Sequence, residues 1–444
     1  MTTAIATEKD QYLEGFERLA EAFGSREPAR VIELRRAAAD AFATLGFPTT
    51  RQEEWRFTNV APIAAASFDL EPDSDGVSQE DLEPFVYDGT LQLVLVNGRF
   101  VAELSHLEGL PEGVVVSSLA AAWRSHPEQV EPHLGFAKFA EHPFVALNTA
   151  LHQDGAFLFF PRGVVVEQAI NIIHLGHTGD KPFACFPRLL IVGEESSQAT
   201  VVEQYGTIGD GAYFTCPVTE VVVGPNTTID HYKLQRESTA AFHVATFQLL
   251  QDRDSNFSSH SISWGGGLVR NDVNAVLDGE GAESTLNGLY MVEGTQLVDN
   301  HMRVEHAKAH CDSHELFKGI LEDRSRAVFN GRIYVHKGAQ KTDAKQTNRN
   351  LLLSKNAVAN SNPQLEIFAD DVKCTHGSTI GQLDDLGVFY LRSRGIGEEA
   401  ARSLLTYAFA ADIVERIKVP AVRQDLEEFL FRRLPKGDVV RQAV

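Results

Sequence analysis

Cysteine, positive charge and long apolar runs are all scarce in this sequence, and each shortage excludes a class of protein. The chain of 444 residues has only 4 cysteines, which are too few and too scattered for a disulfide framework. They are Cys185, Cys216, Cys311 and Cys374. This scarcity predicts a reducing compartment, with the cytoplasm as the default.

Signals for membrane insertion and export are missing as well. The longest uncharged apolar stretch, 113–123, is shorter than the roughly 18 residues that a membrane helix needs. The N-terminal run MTTAIATEKDQYLEGFERL has neither the basic segment nor the apolar segment of a signal peptide. We therefore expect a protein that neither spans a membrane nor is exported.

Basic residues are outnumbered by acidic ones, 40 to 61, which gives a formal net charge of −21. A nucleic-acid-binding protein needs a basic face toward the phosphates, and docking on anionic lipid needs a basic patch. The charge balance therefore predicts that neither nucleic acid nor a membrane surface is a partner.

Several short catalytic motifs are also missing. The sequence contains no GxxxxGK[ST] phosphate-binding loop, no HExxH zinc motif and no GxSxG nucleophile elbow. It has no CxxC, so neither a zinc ribbon nor a complete ferredoxin-type cluster site is encoded by this chain alone. We expect this chain to bind no nucleotide.

The pattern that is present changes character twice along the chain. Residues 1–150 predict an N-terminal helical and mixed region, in which an apolar stripe at helical spacing starts after Pro28 and ends at Gly46. Residues 397–444 predict a C-terminal helical domain with two amphipathic helices separated by Pro420. These last helices are compatible with two roles, a cap on the core and a docking surface for another protein.

Residues 151–396, between these regions, predict a mainly β core. Turn signals recur every 13 to 18 residues between Gly193 and Asp384, and alternating runs such as ATVVEQY and RIYVH lie between them. Such units build sandwiches, barrels or solenoids. A solenoid with two strands per coil would have coils of about 28–30 residues, each burying its apolar face against its neighbours. The spacing alone leaves the three architectures open.

Metal-binding side chains are concentrated in the segment HMRVEHAKAHCDSHELFKG. Its potential ligands are His301, His306, His310, Cys311, His314 and Glu315. Imidazole and thiolate suit soft metals, but the segment spans a turn, and histidines at the corners of coils also satisfy backbone groups. A metal site and a structural role are both compatible with this pattern.

A second candidate lies in LEIFADDVKCTHGSTIG, where Cys374 and His376 are two residues apart. On a strand their side chains point to the same side, so a thiolate and an imidazole could each reach one iron. Two ligands do not complete a cluster, which normally needs four, and the others would come from a partner. The alternative is a buried thiol beside a hydrogen-bonded histidine.

The segment FNGRIYVHKGAQKTDAKQTNRNLLLSKNAVANSNPQLEIFADDVKCTHGSTIGQLDDLGVFYLRSRGI resembles the SufB/SufD family of iron–sulfur cluster assembly scaffolds. The resemblance extends to HCDSHELFKGILEDRS, to PTTRQEEWRFTNV, to FVALNTALHQDG and to YAFAADIVERI, and so spans nearly the whole chain. It implies a right-handed parallel β-helix between an N-terminal helical region and a C-terminal helical domain.

Within that family the chain is most similar to SufD. SufB carries a cysteine on the strand that ends in an SRG-like turn, where this chain has Leu391 in FYLRSRG. SufD carries a CxHG sequence, matched here by Cys374 to Gly377, and RQEEWRFTN also looks like SufD. The resemblance implies that His376 contributes a ligand to a transient iron–sulfur cluster at the interface with a SufB-like subunit. Cys374 would lie beside it as a second candidate ligand.

The resemblance also implies a non-catalytic subunit that works in a complex. A SufB-like paralogue would form a heterodimer with it, and a SufC-like ATPase would dock on the C-terminal helices, where Leu404 and Phe409 are candidate contacts. A cysteine desulfurase system would be an indirect partner. The resemblance leaves open the cluster type, whether a flavin binds the complex, and whether the isolated chain forms a homodimer.

Two functions from other classes compete with this interpretation. A β-helix polysaccharide lyase or hydrolase would place carboxylate or lysine chemistry on one face, although such enzymes are usually secreted. A metal-binding β-helix enzyme would use the segment from His301 to Glu315. Fold analogy alone does not decide among these functions, and the long motif match favours the assembly scaffold.

Overall fold

Each coil of the central region adds one strand to each of two parallel sheets. This architecture is seen in the computed structural model, which describes residues 2–24, 27–179 and 181–444. The fold is mainly β, with 38% strand and 27% helix, and its solenoid has about 8 turns with helices at both termini. The predicted parallel β-helix is confirmed. Among the described residues, no helix is both long and apolar enough to cross a membrane.

Helices before the solenoid form the N-terminal region. They are α1 (Thr2–Phe23), α2 (Ala29–Leu45), α3 (Ala61–Ala65), α4 (Gln79–Leu82), α5 (Leu119–Ser125), α6 (Pro127–Val130) and α7 (Pro143–Leu151). Short 3-10 turns lie at Glu53–Trp55, Glu83–Phe85 and Ala102–Leu104. The predicted stripe of α2 buries Val31, Ala38 and Phe42, and the helix ends at Gly46, whose φ of 62° suits glycine.

Strands of the solenoid are numbered in chain order and alternate between the two sheets. Sheet I contains β1 (Leu91–Val96), β2 (Arg99–Phe100), β5 (Ile170–His177), β8 (Gln198–Ile208), β11 (Thr228–Gln235), β13 (Asn256–Ser263), β15 (Glu283–Val292), β17 (Asp312–Leu321), β19 (Asp343–Leu352) and β21 (Lys373–Gly381). Sheet II contains β3 (Val115–Ser118), β4 (Gly155–Phe160), β6 (Phe183–Cys185), β7 (Arg188–Gly193), β9 (Tyr213–Thr215), β10 (Val218–Val223), β12 (Phe242–Gln251), β14 (Leu268–Leu277), β16 (Leu297–His306), β18 (Arg326–Val335) and β20 (Val358–Ile367).

The register of the coils is regular, which keeps the interior rows continuous. Leu268 pairs with Leu297, 29 residues later, and Leu297 pairs with Arg326 after another 29. The next residue on each strand faces the interior, and these residues, Val269, Val298 and Ala327, form a stacked row that is fully buried. Burial of one such aliphatic side chain stabilises the fold by about 1.5–3 kcal/mol, so the core runs along the axis of the solenoid.

The C-terminal helices cover the outer face of sheet I. They are α8 (Asp385–Ser393), α9 (Glu398–Val414), α10 (Pro420–Arg433) and α11 (Gly437–Ala443). Ile413 and Leu426 pack with Tyr232 of sheet I in one buried cluster. The ring of Phe429 stacks on Trp264 with centroids 3.8 Å apart.

The resemblance predicted a strand around FYLRSRG, and this prediction is wrong, because the structure has helix α8 there. Leu391 lies on this helix, which begins where the Asp384 carboxylate accepts a hydrogen bond of 3.0 Å from the Leu386 backbone N–H. An aspartate in this position stabilises the start of a helix. The run of aromatic and branched residues around Leu391 had favoured a strand instead. The chain thus leaves the solenoid directly after β21.

Candidate functional site

The solenoid is open at its C-terminal end. Within the described part of the chain, β21 pairs only with β19, and β20 pairs only with β18. Along β21 every side chain except that of Cys374 is exposed. The last coil therefore presents unpaired strand edges, which protein surfaces normally cover.

Cys374 and His376 both lie on this last strand, on the side that continues the interior rows. Cys374 is opposite Ala344, and His376 is opposite Gln346. Ala344 and Gln346 are buried inside the preceding coil. Because residues opposite one another in a sheet point to the same face, Cys374 and His376 face the axis of the solenoid at its open end.

The two side chains differ in their surroundings. His376 is exposed, whereas Cys374 is half-buried against an apolar cluster that includes Ile333, Val335 and Ala344. Burial raises the pKa of the Cys374 thiol, an effect that a hydrogen bond from the Ala344 backbone opposes. The imidazole is therefore the more accessible donor, and the thiol has to lose a proton before it can bind a metal.

Two buried polar residues lie beneath His376: Gln346, which sequence reasoning did not identify, and Glu315, which it named only as a candidate metal ligand. Gln346 donates a hydrogen bond of 2.7 Å from Nε2 to Oε2 of Glu315, one coil further in. Glu315 is only 3% exposed, and burial raises its pKa to about 8 although the bond from Gln346 opposes the shift. The recurrence of a polar residue once per coil, at Glu315, Gln346 and His376, was the available signal.

Large apolar side chains are exposed on the last coil and on the helix that follows it. Leu386 and Phe389 of α8 are 76% and 69% exposed, and Tyr390 is exposed beside them. Phe368, after β20, and Ile380, on β21, are exposed as well. We call these five residues the end patch. Large exposed apolar side chains at an uncovered end of a fold are typical of interaction surfaces.

The candidate docking residues of the C-terminal region lie in two different environments. Phe409 packs against the solenoid, where Lys318 Nζ lies 4.8 Å from its ring centroid and donates a 3.0 Å hydrogen bond to its carbonyl oxygen. Leu404 is half-buried and lines a groove between the C-terminal helices together with Tyr407 and Phe431. Leu404 therefore lies in a recess of the helical domain, and Phe409 lies at its contact with the solenoid.

The histidine-rich segment from His301 to Glu315 is dispersed by the fold. His301 points outward and pairs with Glu54 at 3.2 Å and Asp299 at 3.1 Å. His306 is buried, 2.9 Å from the Ser313 hydroxyl, while His314 is exposed. Among the described residues, no three His, Cys, Asp or Glu side chains are arranged to hold a metal ion.

The RQEEWRFTN motif closes one side of a cavity of about 290 Å³ on the outer face of sheet II. Trp55 and Glu54 of the motif line it together with Arg270 and His301. The neighbouring carboxylate of Asp299 outweighs the effect of burial and raises the pKa of His301 to about 9. The charged groups lining this cavity pair largely with one another, and they fasten the N-terminal region to the solenoid.

A second set of charged side chains is buried inside the solenoid. Glu203 pairs with His231 at 2.9 Å, and Glu237 pairs with His243 at 2.7 Å. Lys233 lies 2.9 Å from the ring of His243, and burial lowers the pKa of Lys233 to about 8 despite the nearby carboxylates. Because each buried charge faces an opposite charge or a polar group, this network is compatible with a stable interior.

Comparison with known proteins identifies the family. Residues 174–409 match the family described as "SUF system FeS cluster assembly, SufBD core domain", and residues 6–172 match "SufBD protein N-terminal region". An iron–sulfur cluster assembly SufBD family protein of Synechocystis is 33% identical over 95% of both chains.

Two proteins named SufD are also similar. Iron–sulfur cluster assembly protein SufD of Escherichia coli is 33% identical over 88% of this chain and 90% of its own length. SufD of Bacillus subtilis is 29% identical over 92% of this chain and 95% of its own length. These matches cover both the N-terminal region and the solenoid, so the chain belongs to the SufBD family of iron–sulfur cluster assembly proteins.

Proposed function

We propose that this chain is a non-catalytic, SufD-like scaffold subunit that helps to hold a nascent iron–sulfur cluster at the open end of its solenoid. The observation that carries the proposal is the position of His376, an exposed imidazole on the interior side of the last strand. The cluster is cargo, assembled there and then transferred. Family membership favours this function over the lyase and metalloenzyme alternatives.

The donor set fits a shared cluster. Imidazole and thiolate are both iron ligands, and His376 and Cys374 together supply at most two of the four that a cluster normally needs. A SufB-like paralogue would supply the others. Few ligands from each subunit suit cargo that must be released. We assign the leading role to His376 because Cys374 is partly buried and its pKa is raised.

The paralogue would dock on the open end itself. The free edges of β20 and β21 offer unpaired backbone groups, and strand pairing with a related solenoid would satisfy them. The end patch would be buried at the same time. A homodimer of the isolated chain would use the same surface when the paralogue is absent.

The ATPase would dock on the helical domain. No phosphate-binding loop occurs in the sequence, so ATP hydrolysis is assigned to a SufC-like partner. The groove that contains Leu404 has three acidic lining residues, Asp412, Glu415 and Glu427, against one basic residue, Arg441, although Asp412 already pairs with Lys318. The groove would accept an apolar segment flanked by basic residues. We place the complex in the cytoplasm, with sulfur delivered by a cysteine desulfurase system.

Co-expression with a SufB-like and a SufC-like protein tests the assembly. The mass of the purified complex should account for all three chains. The His376→Ala complex should still assemble, because the strand edges and helices are unchanged. After reconstitution with iron and sulfide, its visible cluster absorption should fall sharply. A normal cluster yield on the intact His376→Ala complex would contradict the site assignment.

Two further variants sharpen this test. His314→Ala is the matched control, since His314 is an exposed histidine on β17 that points away from the interior, and its cluster yield should equal that of the wild type. Cys374→Ala should have a milder effect than His376→Ala if the thiol only assists. An equal loss would show that the thiol is also a ligand.

A further inference from the structure

One interior row of polar side chains leads from His376 into the solenoid. Glu315 on β17, Gln346 on β19 and His376 on β21 are paired in register on three consecutive strands. Adjacent strands lie about 4.8 Å apart, so each side chain in the row is within reach of the next. His376 is at the open end, and Glu315 is the innermost of the three.

The amide group of Gln346 is held in one orientation. Its Nε2 donates to Oε2 of Glu315 at 2.7 Å. Gly331 lies opposite on the other sheet, and a Cβ added to it would be only 2.4 Å from that nitrogen. The amide therefore fills the space that the missing side chain of Gly331 leaves free. Gln346 is 1% exposed, which leaves it little room to rotate.

The other end of the same amide has no partner. Oε1 of Gln346 is buried and accepts no hydrogen bond from the described residues. An unsatisfied buried acceptor costs about 1–3 kcal/mol, so a donor is expected nearby. The next residue in the row is His376, and a neutral imidazole carries one N–H donor and one bare nitrogen.

We propose that Gln346 is a positioning residue for His376. When the exposed ring of His376 turns inward, Oε1 accepts a hydrogen bond from one ring N–H, which leaves the other ring nitrogen bare for the cluster. Glu315 acts one step further in, because it engages the amide N–H and so directs Oε1 outward. This inference rests on the proposed role of His376 as a ligand.

Metal-binding histidines usually donate their second ring N–H to a carbonyl or carboxylate, which fixes the tautomer and the ring orientation. A glutamine carbonyl does this without adding a charge next to the cluster. Glu315 is suited to its part, because its raised pKa keeps the carboxyl group largely neutral at pH 7. A neutral acid still accepts from the amide through its carbonyl oxygen.

Nitrogen NMR of the isolated full-length chain tests the hydrogen bond without any iron. The chain is labelled with 15N-histidine, and the His376 signals are assigned by their loss in His376→Ala. The wild type should show one dominant tautomer for His376. Gln346→Met, which keeps the length but removes the acceptor, should give the tautomer mixture of a solvated histidine. An unchanged tautomer in a folded Gln346→Met chain would overturn the proposal.

Companion variants separate positioning from a general loss of structure. Thr347→Ala changes a neighbour on the opposite face of β19 and should leave the single tautomer unchanged. If Gln346→Met does not fold, Glu315→Met takes its place. That variant releases the amide N–H and should also mix the tautomers, and a single tautomer there would overturn the proposal.

Cluster reconstitution on the complex then distinguishes this inference from the proposed function. Loss of such a supporting partner typically weakens metal binding about 10–100-fold, so Gln346→Met should lower iron affinity by that factor while the complex stays intact. If Gln346→Met mixes the tautomers but the His376→Ala complex still forms a normal cluster, Gln346 positions His376 and the ligand role of His376 is refuted. If the His376→Ala complex loses the cluster but Gln346→Met leaves the tautomers unchanged, only the positioning role of Gln346 is refuted.

Discussion

The guanidinium carbon of Arg270 lies 3.7 Å from the centroid of the Trp55 indole ring. Arg270 belongs to sheet II and is paired there with Asp272 at 2.7 Å and Asp299 at 3.0 Å. Trp55 belongs to the 3-10 turn of the N-terminal region and is 5% exposed. A desolvated cation over an indole face is among the stronger contacts of its kind, so this pair joins the N-terminal region to the solenoid.

We expect Trp55→Ala to destabilise the chain by about 3–5 kcal/mol, the usual cost of removing a buried tryptophan. Arg270 would lose the ring beneath it and become partly unshielded. Urea unfolding followed by circular dichroism measures the change. Phe57→Ala, in the same motif but with a ring that is 46% exposed, should change the unfolding free energy by no more than about 0.5 kcal/mol. Equal effects of the two substitutions would show that the pair does not join the two regions.

Glu315 should make stability depend on pH. Burial raises its pKa from 4.5 to about 8, so between those values the folded chain retains a proton that the unfolded chain has lost. Stability therefore falls as the pH rises from 4.5 toward 8. Glu315→Gln should remove this slope and stabilise the chain at pH 8, by an amount on the order of 3 kcal/mol.

Unfolding free energies of the wild type and Glu315→Gln at several values between pH 5 and pH 8 provide the measurement. Glu322→Gln, at an exposed turn, serves as the control and should follow the wild type at every pH. Parallel curves for Glu315→Gln and the wild type would mean that Glu315 is ionised throughout this range.

The two C-terminal candidates should respond differently to a charge. Phe409→Asp should destabilise the chain, because it removes a ring of α9 that packs with the solenoid and lies over Lys318, and removal of a packed phenylalanine costs about 3–5 kcal/mol. Leu404→Asp should stay folded, since the side chain is half-buried in an open groove, and should lose the SufC-like ATPase in a pull-down.

Glu399→Ala, exposed on the same helix as Leu404, is the control and should retain the ATPase. Thermal unfolding of each variant must accompany the pull-down, so that a lost contact is distinguished from a lost fold. A folded Leu404→Asp chain that still captures the ATPase would place the docking surface elsewhere.

The end patch should govern association and not folding. The double substitution Leu386→Ser and Phe389→Ser removes two strongly exposed side chains, so the free energy of unfolding should change little. Co-purification with the paralogue, and any self-association measured by sedimentation, should weaken. Val165→Ser alters another exposed apolar residue, which lies outside the end patch, and should leave association unchanged. Full association of the double variant would exclude the end patch as an interface.

Much of the solenoid could be predicted from local patterns. Turn signals and alternating runs gave strands that recur in register, because each strand has to place the same face toward the axis. The end of α2 at Gly46 and the start of α10 at Pro420 also followed from local chemistry, since glycine and proline act on their own backbone, although α9 ends at Val414 and not at the predicted Lys418. Helix α8 was missed because its apolar residues face outward at the open end instead of forming a buried stripe.

The candidate site was only partly predictable. A two-residue spacing on a strand predicted that Cys374 and His376 share a face, but not that this face lies at the uncovered end of the solenoid. Gln346 was missed because nothing near it in the sequence marks it as a polar interior residue, and Glu315 was named only as a candidate metal ligand. Their relation to His376 depends on register across three strands.

The sequence by itself determined the family, the strand period and the chemistry of the donors, because these depend on local pattern and residue type. Tertiary structure alone decided which donors are exposed, which acids stay protonated and which side chains meet. His301 and Glu315 show the difference. Both lie in one histidine-rich segment, yet one points outward to Glu54 and the other lies buried against Gln346. Alternation along the chain sends neighbours to opposite faces, and coil stacking brings together residues that are distant in sequence.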